Sequence, residues 1–209
     1  AWTITGGLAP GTIDPFGSPG AVYELHTQRR PSWLMFQATN GTDAILSKDI
    51  SSLVVGGDFS VWMRASFNLR NAAVTNNDGS IILELSASPY DAANRVSMCL
   101  NESDANACQA EFSETEAGVA TTVANSLNTF LATTGMQPIE AVGIQKVGTT
   151  YYGWGLTNGG CLLYFGSTVF APAIGTAAIR GTIASVAAPG TMILGVDYVR
   201  FVAGALFVP

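Results

Sequence analysis

With 209 residues, 48% of them hydrophobic, the chain can hide roughly 70% of its extended surface around one core and needs no metal or disulfide staple. Only 11% of the residues are charged, the net charge is −6, and no basic cluster exceeds the pair Arg29-Arg30. Nucleic-acid binding through phosphates is therefore set aside. Membrane insertion is not expected either, because no stretch reaches the roughly 18 uninterrupted apolar residues of a spanning helix.

Two readings fit so little charge. One is a secreted protein with a Ser/Thr/Asn/Gly surface; the other is a subunit whose outer faces are covered by neighbours, since obligate interfaces resemble a divided core. The chain opens at Ala1 without a charged n-region or an apolar h-region, which reads as a processed chain or a piece of something longer.

In chain order, the first clear element is 59–67, a period-2 strand. It puts Phe59, Val61, Met63, Ala65 and Phe67 on one face and Ser60, Trp62, Arg64 and Ser66 on the other. A polar, turn-rich loop is expected at 71–79. An Ile/Leu-rich strand follows at 80–86, interrupted by Glu84, then strands at 95–100 and 107–113 around the turn-rich 101–106. The stretch 115–138 reads as a long loop, with a turn or two of helix predicted over 121–131. Strands at 139–147 and 149–156 meet in a tight hairpin at Val147-Gly148-Thr149, and 162–165 and 192–202 complete the set. Short alternating runs bounded by Gly, Asn, Asp and Pro predict an all-β antiparallel two-sheet sandwich, one domain over 1–209. Residues 203–209 are too apolar to trail in water and are expected to dock as a C-terminal tail.

The order Ile139-Glu-Ala-Val-Gly-Ile-Gln-Lys-Val-Gly-Thr-Thr-Tyr-Tyr-Gly-Trp-Gly155, then Cys161-Leu-Leu-Tyr-Phe165, Ala173-Ile-Gly175 and a closing Gly195-Val-Asp-Tyr-Val-Arg-Phe201 resembles the concanavalin A-like lectin/glucanase superfamily, laminin-G-type domains included. In the first half, Leu46-Ser-Lys-Asp49 followed by 59–67 looks like that family's opening pair. The resemblance implies a jelly roll with its terminal strands close together, so residues 2–5 should lie in the sheet near the closing strand. On that closing strand Val196 and Tyr198 are expected on one face, Asp197, Val199 and Phe201 on the other. The fold hosts lectins, hydrolases, adhesion modules and viral structural domains, so it does not choose among them.

Laminarinase-like members hydrolyse β-glucans with two glutamates bracketing an aspartate, and the mechanism needs two carboxyls about 5–5.5 Å apart. Here Glu111-Phe-Ser-Glu-Thr-Glu116 keeps the outer glutamates but has Ser113 at the centre, which loses the carboxylate that would part their proton affinities. The sole histidine, His26, and the absence of a Gly-x-Ser-x-Gly elbow argue against a serine triad, and no P-loop or dinucleotide fingerprint occurs. The expectation is no enzyme. No cofactor is expected beyond a structural calcium, which the resemblance would place on Asp197 with Asp14, Asp43 or Asp49 as further carboxylates; the alternative is that Asp197 pairs with Arg200 or another arginine. Trp62, Tyr151, Tyr152, Trp154, Asn158 and Tyr164 are the candidate carbohydrate-binding residues, since aromatic faces stack on sugar rings as readily as they fill cores. A hairpin centred between Ser103 and Asp104 would set Cys99 opposite Cys108 as a candidate disulfide, leaving Cys161 unpaired.

Together these readings favour a non-enzymatic structural or recognition module of a large assembly, a bacteriophage-type capsid decoration protein or tail fibre/spike domain. Its partners would be copies of itself, other virion proteins and, as a further candidate, a cell-surface glycan. The alternative is a secreted carbohydrate-binding lectin, with a glycoside hydrolase third.

Overall fold

The structure is a computed structural model and describes residues 3–5, 34–39, 43–54, 57–70, 77–103, 106–125, 139–157, 159–185 and 191–204. Among these residues there are thirteen strands and no helix: β1 Thr3–Thr5, β2 Leu34–Thr39, β3 Ala44–Asp49, β4 Phe59–Arg70, β5 Asn77–Ser86, β6 Arg95–Ser103, β7 Asn106–Glu116, β8 Val119–Asn125, β9 Ile139–Val147, β10 Thr150–Thr157, β11 Leu162–Val169, β12 Thr176–Ser185 and β13 Thr191–Ala203. They form a seven-stranded sheet, ordered β1-β3-β12-β5-β6-β7-β8, and a six-stranded sheet, ordered β11-β10-β9-β4-β13-β2. Every pairing is antiparallel. The chain is thus an all-β two-sheet sandwich, as the alternation predicts, and its crossovers are consistent with a jelly roll.

One core fills the space between the sheets. Phe59, Val61, Met63 and Ala65 of β4 face Leu83 and Leu85 of β5, Val96, Met98 and Leu100 of β6, and Phe112 of β7. Two glycines of β9 and β10 make room for large side chains. A Cβ on Gly153 would fall 2.5 Å from the Phe112 ring, and one on Gly143 would fall 2.5 Å from the Trp62 indole. At one side the sheet edges close on each other: β8 touches β11, and the Thr168 hydroxyl of β11 donates to Glu114 Oε2 of β7.

Several expectations are corrected. The predicted helix at 121–131 is strand β8 through Asn125, and 126–138 lies outside the described residues. The hairpin leading into β8 turns on Ala117 (φ 50°) and Gly118 (φ 82°), the paired left-handed geometry that joins two strands through two residues. The loop at 71–79 is shorter, because β5 already begins at Asn77.

β1 is a strand, but it pairs β3 at the edge of the seven-stranded sheet, while the closing β13 lies in the other sheet between β4 and β2. In β13 a bulge between Val196 and Tyr198 adds Asp197 to the strand and reverses the alternation after it. Val196, Val199 and Phe201 all turn to the core, leaving Tyr198 opposite Arg64 on the outer face. Residues 205–209 lie outside the described residues.

Candidate functional site

The outer face of the six-stranded sheet carries the aromatic residues. Its register sets Tyr164, Trp154, Gly143, Trp62 and Arg200 in one cross-strand row. A neighbouring row holds Ser167, Tyr152, Gln145 and Ser60, and on the other side lie Leu162, Leu156, Ala141, Arg64 and Tyr198. In β11 a bulge makes Phe165 an extra residue opposite β10, since Gly153 pairs Gly166 and Trp154 pairs Tyr164. Gly166, at φ 109°, supplies the backbone that such a bulge needs. Phe165 turns into the core at 5% exposure while Tyr164 stands outward at 53%.

The result is a three-ring cluster. Trp154 and Tyr164 lie 5.1 Å apart by ring centroid at 48°, and Tyr152 lies 6.4 Å from Tyr164 at 39°. Trp154 Nε1 donates to Gln145 Oε1 at 3.1 Å, fixing the indole against a buried amide. Leu162, partly exposed, extends the apolar strip. Along the sheet, Arg64 donates to Glu140 at 2.8 Å and to Asp197 at 3.4 Å. Ser60 Oγ, beside Gln145 in the register, is buried with no hydrogen-bond partner among the described residues.

The candidate sugar-binding residues therefore separate. Tyr152, Trp154 and Tyr164 come together on one accessible face. Trp62 shares the face but lies over Gly143 and is 1% exposed. Tyr151 is on the opposite, core-facing side at 2% exposure, edge-on to Phe170 at 5.8 Å. Strand alternation separates Tyr151 from Tyr152; a count of aromatics alone does not. Asn158 lies outside the described residues.

The outer face of the seven-stranded sheet holds the charges that the sequence reading passed over. Glu84 is fully buried there. It accepts from the Tyr90 hydroxyl at 2.5 Å and from Arg180 Nε at 3.0 Å, and Arg95 Nε approaches it to 3.2 Å as an ion pair without hydrogen-bond alignment. Arg180 also donates to Asp43 at 2.9 Å. Desolvation would favour neutral Arg180, but the charges and hydrogen bonds of Glu84 and Asp43 outweigh it and hold its pKa above the ordinary value. The Tyr90 phenol is likewise raised, by burial first and then by the Glu84 charge. In the same cross-strand row as Glu84, Ser97 and Ser113 share a hydrogen bond at 2.9 Å.

Glu111 and Glu116 leave β7 on opposite faces. Glu111 is paired with Cys99 on the outer side, whereas Glu114 and Glu116 fall on the side of the core residue Phe112. Glu111 accepts from Thr122 Oγ1 at 3.3 Å. The two bracketing glutamates of the hydrolase pattern do not face a common sugar.

Asp197 is held by Arg64, the alternative to calcium, while Asp43 is held by Arg180 and Asp49 accepts from the Ser51 N–H at 2.8 Å. Asp14 lies outside the described residues, and among those described no group of three or more His, Cys, Asp or Glu is placed to hold a metal ion. The cysteine register also differs. β6 and β7 meet at Ser103–Asn106, and a bulge between Asn101 and Ser103 shifts the ladder so that Cys99 faces Glu111, three residues along from Cys108. Cys99 is a buried thiol, pushed up to about 12 by burial, and Cys161 is an exposed one. No described helix is long and apolar enough to cross a membrane.

No family model matches the chain, and no curated protein matches it. Its fold does match solved structures. Xylan β-1,4-xylosidase from Bacillus halodurans is similar at TM-score 0.55 and 11% identity, over 84% of this chain and 34% of that one. An alginate lyase from Klebsiella pneumoniae is similar at 0.51 and 9%, over 83% and 82%. A functionally unknown protein from Saccharomyces cerevisiae is similar at 0.54 and 8%, over 83% and 89%. The chain spans about a third of the xylosidase's length. At these identities the likeness is one of fold alone, a two-sheet sandwich.

Proposed function

We propose that this chain is a non-enzymatic recognition module that binds a neutral polysaccharide along the outer face of its six-stranded sheet. The observation that carries the reading is the Tyr152–Trp154–Tyr164 cluster, accessible on the sheet's outer face with Trp154 held by Gln145. Aromatic faces of this size stack on the C–H faces of pyranose rings, while tyrosine hydroxyls and amides accept or donate to ring hydroxyls. An open strip along a sheet face suits an extended polymer, which can lie across several rings, better than a single enclosed sugar. The net charge of −6 opposes acidic polymers, so a neutral chain of the xylan type is favoured over alginate, though fold neighbours are named for both. The separation of Glu111 from Glu116 supports a reading without hydrolysis.

Affinity electrophoresis tests this. Migration should be retarded in gels containing xylan or mixed-linkage β-glucan, and Trp154→Ala and Tyr164→Ala should each restore free migration while keeping the circular dichroism of a folded sandwich. Retardation unchanged in both variants would overturn the platform. Reducing-end release from the same polymers should stay at background.

A second setting, a virion component packed against copies of itself and other particle proteins, is favoured by one observation. Val119, Leu162 and Val169 are exposed on β8 and β11, the strands where the two sheets meet at one side of the sandwich. An uncharged edge of this kind suits a neighbour. Sedimentation velocity across a concentration series separates the two settings.

A further inference from the structure

The mouth of the sandwich, at the turn between β9 and β10, holds a cavity of about 280 Å3 lined by Phe59, Lys146, Tyr151, Phe170, Pro172 and Ile174, among others. It is separate from the aromatic strip, because its walls are the core-facing sides of β4, β9 and β10. Phe59 pairs Lys146 and Lys146 pairs Tyr151 across the strands, so the three side chains form one row on the inner face. Directly opposite residues bring their Cβ atoms within about 5 Å. A lysine at an inward position of a sandwich is unusual. Its ammonium lies 6.0 Å from the Phe59 ring centroid and makes no ion pair among the described residues.

Next to it, Tyr151 is 2% exposed and lines the same cavity, and its hydroxyl is not among the sealed-off polar atoms that lack a partner. Burial is the sole cause that pushes this phenol up to about 12, so it remains a donor throughout the physiological range. Two donors, the Lys146 ammonium and the Tyr151 hydroxyl, thus share a cavity whose other side chains are apolar apart from Thr149.

We propose that this cavity binds a small amphipathic carboxylate whose apolar body packs against Phe59, Phe170 and Ile174 and whose carboxylate accepts from the Lys146 ammonium and the Tyr151 hydroxyl. One anionic group satisfies both donors, and a charge-assisted bond in a partly desolvated site is stronger than a neutral one. The volume equals that of about nine liquid waters, which limits the ligand to roughly a single ring or a short acyl chain. Such a ligand would reach the interior from the sandwich end and would leave the polysaccharide strip free.

The test uses phenylacetate as probe, with phenylacetamide as its uncharged isostere, in two-dimensional NMR titrations of the full chain. Phenylacetate should bind with Kd of about millimolar, as expected for so small a ligand, and should shift resonances of Tyr151, Phe170 and Ile174. Phenylacetamide should bind at least tenfold more weakly. Lys146→Met, which keeps the aliphatic stem, should weaken phenylacetate at least tenfold, and Tyr151→Phe, which keeps the ring, should weaken it several-fold. Equal affinity for acid and amide, unchanged affinity in Lys146→Met, shifts confined to Tyr152, Trp154 and Tyr164, or no shifts at 10-fold above the expected Kd would each overturn the proposal.

Discussion

The two outer faces of this sandwich occupy equivalent positions and are built by opposite means. On the seven-stranded sheet a carboxylate is sunk to zero exposure and surrounded by Arg180, Arg95 and Tyr90. On the six-stranded sheet the space is filled by aromatic rings, with the charged groups Arg64, Glu140 and Asp197 pairing among themselves at the side. The first arrangement is demanding, since each charge depends on the others to offset its desolvation. The second is tolerant, since a ring removed from an accessible strip leaves no buried charge behind. Stability is expected to rest more on the first face, while the second is the one the proposed function uses for recognition.

The largest expected effect breaks the charged face. Glu84→Ala leaves Arg180 with Asp43 alone and Arg95 with the Ala92 carbonyl, which it reaches at 2.7 Å. Removing one partner of a buried ionic group costs about 3–5 kcal/mol; guanidinium denaturation should show a loss of at least 3 kcal/mol, with polysaccharide retardation unchanged under native conditions. A loss below about 1 kcal/mol would mean that the network is decoration. On the other face the most sensitive position carries no side chain. Gly143→Ala would place a Cβ 2.5–2.7 Å from three atoms of the Trp62 ring, and a rigid indole at 1% exposure cannot swing aside. Overpacking of this kind costs about 1–3 kcal/mol, and Trp62 fluorescence should shift as the ring is displaced.

A smaller effect separates the faces by pH. Tyr90 on the charged side and Tyr198 on the aromatic side both have raised pKa values, burial being the first cause in each. A group raised on folding contributes stability that is complete below its ordinary value near 10 and is lost as pH climbs toward the folded value. Tyr90 donates to Glu84 at 2.5 Å, so Tyr90→Phe should cost about 1.5–3 kcal/mol at pH 7 and should flatten the decline in stability above pH 10. Tyr198→Phe should leave neutral stability nearly intact and flatten that decline less. Alkaline-limb denaturation series of the two variants would show whether the ordering is reversed.

What the sequence made legible follows from these differences. Alternation in β4 revealed both its core face and the opposite row of Ser60 and Trp62, because a strand's side-chain period is fixed by its pleat. The β9–β10 hairpin was legible through Gly148, whose φ of 60° a glycine adopts without strain. β12, by contrast, reads Thr-Ala-Ala-Ile-Arg-Gly-Thr-Ile-Ala-Ser and has too few large residues to announce a strand. It carries Arg180, so the partner of Glu84 stayed hidden and the buried carboxylate looked like an interruption. β8 was hidden by its turn, because Ala117 gives no sign that it will take a positive φ. Bulges were the other blind spot. At Asp197 and Phe165 one inserted residue redirects everything beyond it, and no composition marks the place.

The bulge in the β6–β7 hairpin allows the smallest and most specific test, one of register alone. The ladder pairs Cys99 with Glu111 and Leu100 with Ala110, whereas a hairpin without the bulge and centred one residue earlier would pair Cys99 with Cys108. Directly opposed residues can be bridged with little backbone movement when their Cβ atoms lie about 4.5 Å apart. In Glu111→Cys, mild oxidation should therefore link Cys99 to position 111 and leave Cys108 as a thiol. Non-reducing peptide mapping identifies which peptides are joined. The gain in stability should be small. The closed loop is short, worth about 2–3 kcal/mol on the chain-entropy estimate, while the bond from Thr122 to Glu111 is lost and Cys99 must leave a site that holds its thiol protonated. A net change within about 1 kcal/mol of wild type is expected. A Cys99–Cys108 link in either protein would mean that the bulge is absent and that the turn is centred one residue earlier, which would change which residues of the Glu111–Glu116 segment face outward.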